Sequence, residues 1–235
     1  MTRRRWIADE VSGDLAALTG AHADHLSRVL RARVGQEFDI VANGVLHRAR
    51  IATIGETRVE FDLGEEIPAE AAPVQLTLLL AIFKFDRMEW AIEKCTELGV
   101  SRILPLIARR TDAHFAWASH KRVERWRRIA LQASEQSRRA SPPEIPDPIR
   151  LRDALAIPAT LKVVLSEAED QCQLRDIQLH GDGEVLLAIG PEGGWTEDEL
   201  GLFRAHDWIP VSLGPTILRA ETAAIAATAI AMSAG

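Results

Sequence analysis

The feature that most constrains this chain is a glycine-rich loop, GPEGG at residues 190–194, between an apolar run and a helix start. The run before it, EVLLAI at residues 184–189, is typical of a buried parallel strand. After it, Thr196 and Glu199 have the spacing of a capping box, with Thr196 as the N-cap. The pattern therefore predicts a strand, a loop and a helix in succession. In open α/β sheets small ligands bind at such places, outside the carboxyl ends of the strands.

The composition of this loop limits the ligand. It has neither a GxGxxG nor a GxxxxGK[ST] pattern, and its one charged residue, Glu192, is an acid. Carboxylates and phosphates compete for the same backbone N–H groups, so an acidic loop argues against a di- or triphosphate. A carboxylate is better suited to ribose hydroxyls or to a cationic ligand. A plain βα turn would have the same pattern, so this loop alone does not define a site.

A second strand–loop–helix unit follows. Residues 209–213 form another short apolar run, and residues 214–222 have the sequence GPTILRAET. The alanine-rich stretch 223–232 comes next, and its small side chains suit either core filling or a dimer face. Two consecutive units of this kind place their loops at one edge of a sheet, where they can form a single pocket.

The length, composition and net charge are those of an ordinary globular protein. It has 235 residues, 47% hydrophobic and 26% charged, with a net charge of −6, so nothing global favours nucleic acid. Cys95 and Cys172 form no CxxC pair, which argues against a disulfide framework or a zinc site. His22 and His25 are one helical turn apart without an evident third ligand, so no metal site is expected. The start is basic but interrupted by acids, and the apolar runs are too short to span a bilayer. We therefore expect a soluble cytoplasmic protein.

The first third of the chain predicts a small β-rich module. Residues 37–42 and 45–53 flank an Asn43-Gly44 turn, as in a hairpin, and residues 57–62 would add a third strand. Residues 22–30 have apolar positions at helical spacing. The module carries several arginines, which suit an RNA backbone or, alternatively, form a solvated face. These are Arg28, Arg31, Arg33, Arg48 and Arg50. The polar, proline-bracketed residues 64–73 predict a domain linker.

From residue 74 the pattern changes to alternating apolar runs and helices, which indicates an α/β domain. Residues 74–82, 102–107 and 161–165 predict strands, and residues 84–99 predict a helix with Asp86 as N-cap and Gly99 as the stop. A longer, arginine-rich helix is predicted from residue 119 to about residue 139, ended by prolines. Its basic stripe is either a solvated face or a phosphate contact.

Several motifs in this order resemble one family. They are KxD at residues 84–86, ELGV at 97–100, EQSxR at 135–139, IGPEGG at 189–194 and LGxxILRxET at 213–222. Together they resemble the RsmE family of knotted SPOUT methyltransferases, which methylate N3 of a uridine in small-subunit ribosomal RNA. The resemblance extends over the whole chain.

The resemblance implies an architecture and a set of partners. It implies an α/β fold with a SPOUT-type parallel sheet and a C-terminal trefoil knot in residues 74–235. A small PUA-like, RNA-binding β-barrel in residues 1–70 would precede it. The implied cofactor is S-adenosylmethionine (SAM), and the implied partners are 16S rRNA, within the assembled 30S subunit, and a second copy of the chain. Neither a membrane nor a metal is implied.

The resemblance also implies site residues. Arg219 would stabilise the negative charge that develops on uracil, and Glu221 would be either a base or the residue that orients Arg219. Cofactor binding is implied for Leu165, Ser166, Ile189, Gly190, Pro191, Glu192, Gly193, Gly194, Leu213, Gly214, Ile217, Leu218, Arg219 and Thr222. RNA contacts are expected of Arg3, Arg4, Arg28, Arg31, Lys84, Arg109, Arg138 and Arg139.

Two other functions remain open at this point. One is a different SPOUT enzyme that methylates tRNA or another rRNA site. The other is a non-catalytic, RNA-binding ribosome assembly factor that keeps the pocket only as structure, although the intact loop motifs argue against it.

Overall fold

The structure is a computed structural model that describes residues 5–68, 74–178 and 183–233. These residues form two compact units. Of the described residues, the first unit combines 5–68 with Ser134–Ser141, and the second combines 74–133 with 142–178 and 183–233. Within the described ranges, no helix has the length and apolar character needed to cross a membrane.

The first unit is a curved sheet, a half-barrel, with a short helical segment. Its strands are β1 (Arg5–Ile7), β2 (Glu10–Ser12), β3 (Leu15–Thr19), β4 (Glu37–Ala42), β5 (Val45–Ile54) and β6 (Arg58–Ile67), in the sheet order β1-β4-β5-β6-β3-β2. Helix α1 (Gly20–Asp24) continues into a π-helical turn, His25–Val29. The interior contains the fully buried side chains of Trp6, Leu18 and Phe61.

The hairpin prediction is confirmed, and the linker prediction begins too early. Asn43 and Gly44 have φ values of 50° and 81°, as a two-residue hairpin turn between β4 and β5 requires. Strand β6 continues to Ile67, because Glu66 and Ile67 still pair with His47 and Leu46 of β5. Strands β1 to β3 were not foreseen from the sequence.

The segment Ser134–Ser141 belongs to this unit through polar contacts. Glu135 is fully buried, and its Oε1 lies 3.4 Å from Nε2 of His22. The guanidinium of Arg5 donates a hydrogen bond to the carbonyl of Arg138. Burial lowers the pKa of Arg139 to about 10.

The second unit is an α/β domain around a six-stranded parallel sheet in the order β12-β10-β11-β7-β8-β9. Its strands are β7 (Gln75–Ala81), β8 (Arg102–Ile107), β9 (Ile149–Arg150), β10 (Leu161–Leu165), β11 (Glu184–Ile189) and β12 (Ile209–Val211). Its helices are α2 (Phe85–Glu97), α3 (Ala113–Ala118), α4 (Val123–Ser137), α5 (Leu151–Leu155), α6 (Glu197–Ala205) and α7 (Ala220–Ser233). Helix α4 runs on into the segment that groups with the first unit.

Helices cover both faces of this sheet, which explains why its strands are almost entirely apolar. On one face, Met88 of α2, Trp126 of α4 and Ala224 of α7 belong to a single buried cluster with the strands. On the other face, Leu151 of α5 and Phe203 of α6 form a second cluster. The carboxyl ends of the parallel strands are left uncovered for the loops.

The boundaries of two predicted helices are corrected by the structure. Helix α2 begins at Phe85 with Lys84, not Asp86, at the N-cap position, because the carbonyl of Lys84 already accepts hydrogen bonds from the first helical amides. The predicted stop is confirmed, since Gly99 has a φ of 108°. The arginine-rich helix is shorter than predicted: a 3₁₀ turn, Ser119–Lys121, precedes α4, and Arg138 has a φ of 63° just after it.

Helix α7 lies close against α2 because its inward side chains are small. Ala224, Ala227 and Ala231 are completely buried. The hydroxyl of Thr228 contacts Sγ of Cys95 at 3.4 Å, and burial raises the pKa of that thiol to about 12. The core-filling role of the alanine-rich stretch is thus observed on this face.

Candidate active site

A cavity of about 580 Å³ opens at the carboxyl ends of β10, β11 and β12. Its walls are the loops that follow these three strands, together with Arg87 of α2 and Arg110 after β8. The volume lies in the range of pockets that enclose a small molecule. The position is the one that the strand–loop–helix pattern predicts.

The loop after β11, residues 190–195 (the first loop), is held in place by side chains from neighbouring elements. Nε1 of Trp195 donates a hydrogen bond to the carbonyl of Leu165 at the end of β10, 2.9 Å away. Nη1 of Arg110 donates to the carbonyls of Gly193 at 2.7 Å and Trp195 at 3.2 Å. The ends of three strands are therefore joined through this loop.

The start of α6 fixes the other end of the first loop. Glu199 is 6% exposed, and its Oε2 accepts hydrogen bonds from the amide and hydroxyl of Thr196 at 2.9 and 3.0 Å. The amide of Glu199 donates to the hydroxyl of Thr196 at 3.2 Å, so the predicted capping box is confirmed. Oε1 of Glu199 also accepts from the amide of Arg109 at 2.7 Å, a link that sequence spacing does not reveal.

Gly194 is the position in the first loop where a side chain is excluded. Its φ is +70°, and a Cβ atom there would lie 3.0 Å from Oε1 of Glu167. The left-handed backbone therefore favours glycine here, and the nearby side chain of Glu167 would have to shift to admit a Cβ atom.

The loop after β12, residues 212–219 (the second loop), has fewer supports. Ile217 is 82% exposed and lines the cavity. Arg219 is exposed, and within the described ranges its side chain has neither an ion pair nor a hydrogen bond. Gly214 has a φ of +120°, which disfavours any other residue at this bend.

Arg87 connects the first loop with the start of α7. Its Nη1 lies 3.2 Å from Oε1 of Glu192, and its Nε lies 3.7 Å from Oε1 of Glu221. Glu221 is 4% exposed, and its Oε2 has no hydrogen-bond partner among the described residues. A buried carboxylate oxygen of this kind is a ready acceptor for a donor group of a ligand.

Equal numbers of acidic and basic side chains line the cavity, but most of the basic ones already have partners within the protein. Three acids, Glu167, Glu192 and Glu197, and three arginines line it. Two of the arginines are engaged, Arg87 with carboxylates and Arg110 with backbone carbonyls. Arg219 is the arginine left to act on a ligand.

The structure brings most of the predicted cofactor residues together. Those that line the cavity are Ser166, Ile189, Gly190, Pro191, Glu192, Gly194, Leu213, Gly214, Ile217, Leu218 and Arg219. Leu165 and Gly193 contribute carbonyls that hold the first loop, and Thr222 is exposed on α7. Glu221 lies beside the cavity, buried next to Arg87.

Sequence reasoning missed several residues of this site. Arg87, Arg110, Glu167 and Trp195 line the cavity and were not among the predicted residues. Arg110 and Glu167 had a signal, since each stands just after a predicted strand, and Trp195 directly follows the GPEGG loop, whereas Arg87 had none. Arg109 itself is exposed and contributes its backbone amide.

The predicted RNA-binding residues are dispersed. Lys84 and Arg109 are exposed in the second unit, and Lys84 pairs with Asp86 at 3.4 Å. Arg28, Arg31, Arg138 and Arg139 belong to the first unit, where all but Arg139 are exposed. Arg3 and Arg4 lie outside the described residues.

The parallel α/β domain is that of an RNA methyltransferase: the sequence profile of the RNA methyltransferase domain matches residues 70–232. A protein of Rickettsia conorii named ribosomal RNA small subunit methyltransferase E is 34% identical over 88% of this chain and 85% of that protein. The chain belongs to the ribosomal RNA small subunit methyltransferase E family, which is the RsmE family of the resemblance above.

Solved structures agree in fold over nearly the full length. A methyltransferase from Legionella pneumophila, solved with bound SAM, has a TM-score of 0.87 at 31% identity and covers 100% of this chain and 99% of its own. A ribosomal RNA small subunit methyltransferase E from Neisseria gonorrhoeae, also bound to SAM, has a TM-score of 0.85 at 32% identity. It covers 97% of this chain and 96% of its own.

Proposed function

We propose that this chain transfers the methyl group of SAM to N3 of one uridine in small-subunit ribosomal RNA. It is an SAM-dependent methyltransferase of small-subunit rRNA by family, and N3 of a uridine is the finer part of the proposal. The observation that carries it is the cavity, in which the GPEGG and ILRxET loops form adjacent walls.

The residues around the cavity fit SAM. Apolar side chains, among them Ile189, Leu213 and Leu218, suit a flat adenine ring. The carboxylates of Glu167, Glu192 and Glu197 suit the amino group, the ribose hydroxyls and the positive sulfur. When bound, SAM supplies a methyl group on a sulfonium centre, which a nucleophilic nitrogen can accept.

The protein's own contribution is to position the base and to manage its charge. Uracil N3 carries a proton, and loss of that proton leaves negative charge shared between N3 and the two neighbouring carbonyl oxygens of the base. Arg219 stabilises this charge, because its guanidinium is exposed at the cavity and has no competing carboxylate among the described residues. Holding acceptor and methyl group in line supplies much of the remaining rate enhancement.

Glu221 has two proposed roles. As a base it would take the N3 proton at Oε2, which is supported by that atom's lack of a partner. As a positioning residue it would act through a neighbouring arginine, and the arginine near it is Arg87 at 3.7 Å, rather than Arg219. The geometry therefore supports Glu221 either as the base or as a positioning residue that acts through Arg87.

The architecture implied by the resemblance is part of the same proposal. A trefoil knot in the C-terminal region is proposed from the family resemblance; the backbone of Ser212 exchanges hydrogen bonds with Cys172 and Leu174, which places the segment after β10 beside the second loop, as such a knot requires. A PUA-like, RNA-binding barrel is supported by the half-barrel of the first unit and by its exposed arginines, Arg28 and Arg31. A homodimer acting in the cytoplasm on the assembled 30S subunit completes the proposal.

The test is transfer of labelled methyl from SAM to small-subunit rRNA, naked and in assembled 30S subunits, followed by digestion and identification of the labelled nucleoside. Label in 3-methyluridine is the expected result, greater with 30S subunits than with naked rRNA. Label in another nucleoside, or in tRNA, would replace the N3 assignment with a different RNA target. Cofactor binding without transfer to any RNA would favour the assembly-factor function.

A further inference from the structure

A short helix beside the active site exposes a large aromatic ring. Helix α3 contains no buried residue, and Trp117 near its end is 69% exposed. Exposed aromatic rings of this size often mark binding surfaces, because their burial contributes strongly to association. The mechanism described above makes no use of Trp117.

The surroundings of Trp117 are positively charged. Nζ of Lys121 lies 4.6 Å from the centre of its ring, and within the described residues Lys121 has no carboxylate partner. Residues 109–128 contain seven Lys or Arg and two Asp or Glu, a charge of +5 along this stretch of a chain whose net charge is −6. In the structure Arg122 and Arg125 pair with Glu89, and Arg127 pairs with Glu124, which leaves Lys121 as the cation at the ring of Trp117. An exposed indole in a basic stretch has the chemistry of a single-stranded nucleic acid contact.

Helix α3 is anchored next to the cavity. Arg110, which holds the first loop, stands two residues before Asp112, and Asp112 caps α3 by accepting hydrogen bonds from His114 and Phe115 amides at 2.8 and 3.4 Å. The ring of Phe115 packs on Phe85 at a centroid distance of 5.1 Å. Trp117 is seven residues from Arg110, so chain geometry keeps it within about 25 Å of the cavity wall.

We propose that Trp117 and Lys121 form a stacking platform for an unpaired base of the substrate RNA near the nucleotide presented to the cavity. The indole stacks on the base, and the ammonium of Lys121 contacts the neighbouring phosphate. This assignment rests on the proposed function in one respect only, that the ligand is RNA. The positive local charge favours RNA over an apolar protein partner.

A second exposed tryptophan provides a matched control. Trp90 of α2 is 49% exposed but stands between Glu89 and Glu93 in the sequence. In the structure both carboxylates are ion-paired, Glu89 with Arg125 at 2.6 Å and Glu93 with Lys94 at 2.7 Å. Trp90 therefore offers the same ring without an excess of positive charge to attract RNA.

The experiment compares wild type with Trp117→Ala, Trp117→Phe, Trp90→Ala and Lys121→Gln. Affinity for fluorescent single-stranded oligouridine is measured by anisotropy, and KM and kcat are measured with 30S subunits. Trp117→Ala is expected to weaken oligouridine binding and to raise KM for RNA, each by about 10- to 100-fold. The kcat and the affinity for SAM stay near wild type, Trp117→Phe recovers most of the loss, and Trp90→Ala behaves as wild type. Lys121→Gln reduces the salt dependence of RNA binding by about one counterion.

The outcomes separate the platform from the proposed function. If Trp117→Ala binds RNA as tightly as Trp90→Ala does, the platform is overturned while methyl transfer stands. A change in sedimentation of Trp117→Ala would also overturn it, because the ring would then be a contact between copies of the chain. If wild type binds oligouridine through Trp117 but methylates no RNA, the proposed function is lost and the platform is supported.

Discussion

The two loops that wall the cavity differ in how they are held. The first loop, residues 190–195, is fixed by Trp195, Arg110 and the buried capping box of Glu199. The second loop, residues 212–219, carries Ile217 at 82% exposure and an Arg219 without a side-chain partner in the described ranges. The first loop is thus held by side-chain contacts within the protein, whereas Arg219 and Ile217 of the second loop are exposed and open to a ligand.

This difference indicates a division of labour. A wall that is already in place loses little conformational entropy on binding, so it suits the recognition of a cofactor. A loop whose side chains have no partners loses conformational entropy when the ligand binds. The contacts that these side chains then make can act on the reacting base. We therefore expect substitutions in the first loop to affect stability and those in the second to affect catalysis.

The largest effect is expected of Arg219→Ala. Removing the charge that stabilises the developing anion should lower kcat/KM for methyl transfer by about 100- to 1,000-fold. Because Arg219 is exposed and unpaired among the described residues, the free energy of unfolding should change by less than about 0.5 kcal/mol. Single-turnover methyl transfer and urea unfolding measure the two quantities. Unchanged activity would remove the second loop from the chemistry.

Glu199→Ala, in contrast, should act mainly on the stability of the fold. Its carboxylate is buried and accepts hydrogen bonds from the amides of Thr196 and Arg109, so its loss should lower the free energy of unfolding by about 2–3 kcal/mol. Asp198→Ala is the matched control, since Asp198 is an exposed acid in the same helical turn and should cost less than about 1 kcal/mol. Equal effects of the two substitutions in urea unfolding would mean that the first loop is not held by its cap.

Arg87→Gln tests the connection between the two walls. Its ion pairs with Glu192 and Glu221 are partly exposed, so the loss of stability should be small. The two carboxylates would lose their common partner, and the dissociation constant for SAM should rise by about tenfold in calorimetry, or about 1.4 kcal/mol. Arg204→Gln, an exposed arginine of α6, should leave SAM binding unchanged. A rise in the KM for RNA without a change in SAM binding would contradict the cofactor role.

The smallest effect concerns thiol labelling. Cys95 is buried, and because its pKa is raised to about 12 it should not react with iodoacetamide at pH 8 in the folded protein. Cys172 is half-buried, and its carbonyl accepts from the amide of Ser212 in the second loop at 2.9 Å. Saturating SAM should slow the labelling of Cys172 several-fold, as detected by mass spectrometry, if binding orders this loop. An unchanged rate would mean that the second loop is as fixed as the first.

What could be predicted from the sequence was local. The Asn43-Gly44 hairpin, the stop at Gly99 and the capping box of Thr196 depend on residues close in sequence, and all three are confirmed. Asp86 was wrongly placed as an N-cap because acidic residues favour both the cap and the first turn. Which residue is the N-cap depends on where the backbone enters helical geometry, and the identity of one side chain does not determine that position.

The parts of the site that could not be predicted are contacts across the sheet. Arg87 meets Glu192 across more than a hundred residues of sequence, and Arg110 meets Gly193 across more than eighty. A single sequence gives no signal for such pairs, since each arginine alone looks like a solvated surface residue. Family resemblance supplied the motif residues but not these supporting ones.

The order of strands in the parallel sheet determines how late in folding the cavity can form. Strand β11 lies between β10 and β7, which both precede it in the chain. The walls of the cavity are complete only when β12 has also joined the sheet. Parallel pairing over such long sequence separations forms slowly, because loop-closure entropy is lost before the contacts reward it. A partly folded chain therefore lacks the pocket altogether, and SAM recognises only molecules whose sheet has been fully assembled.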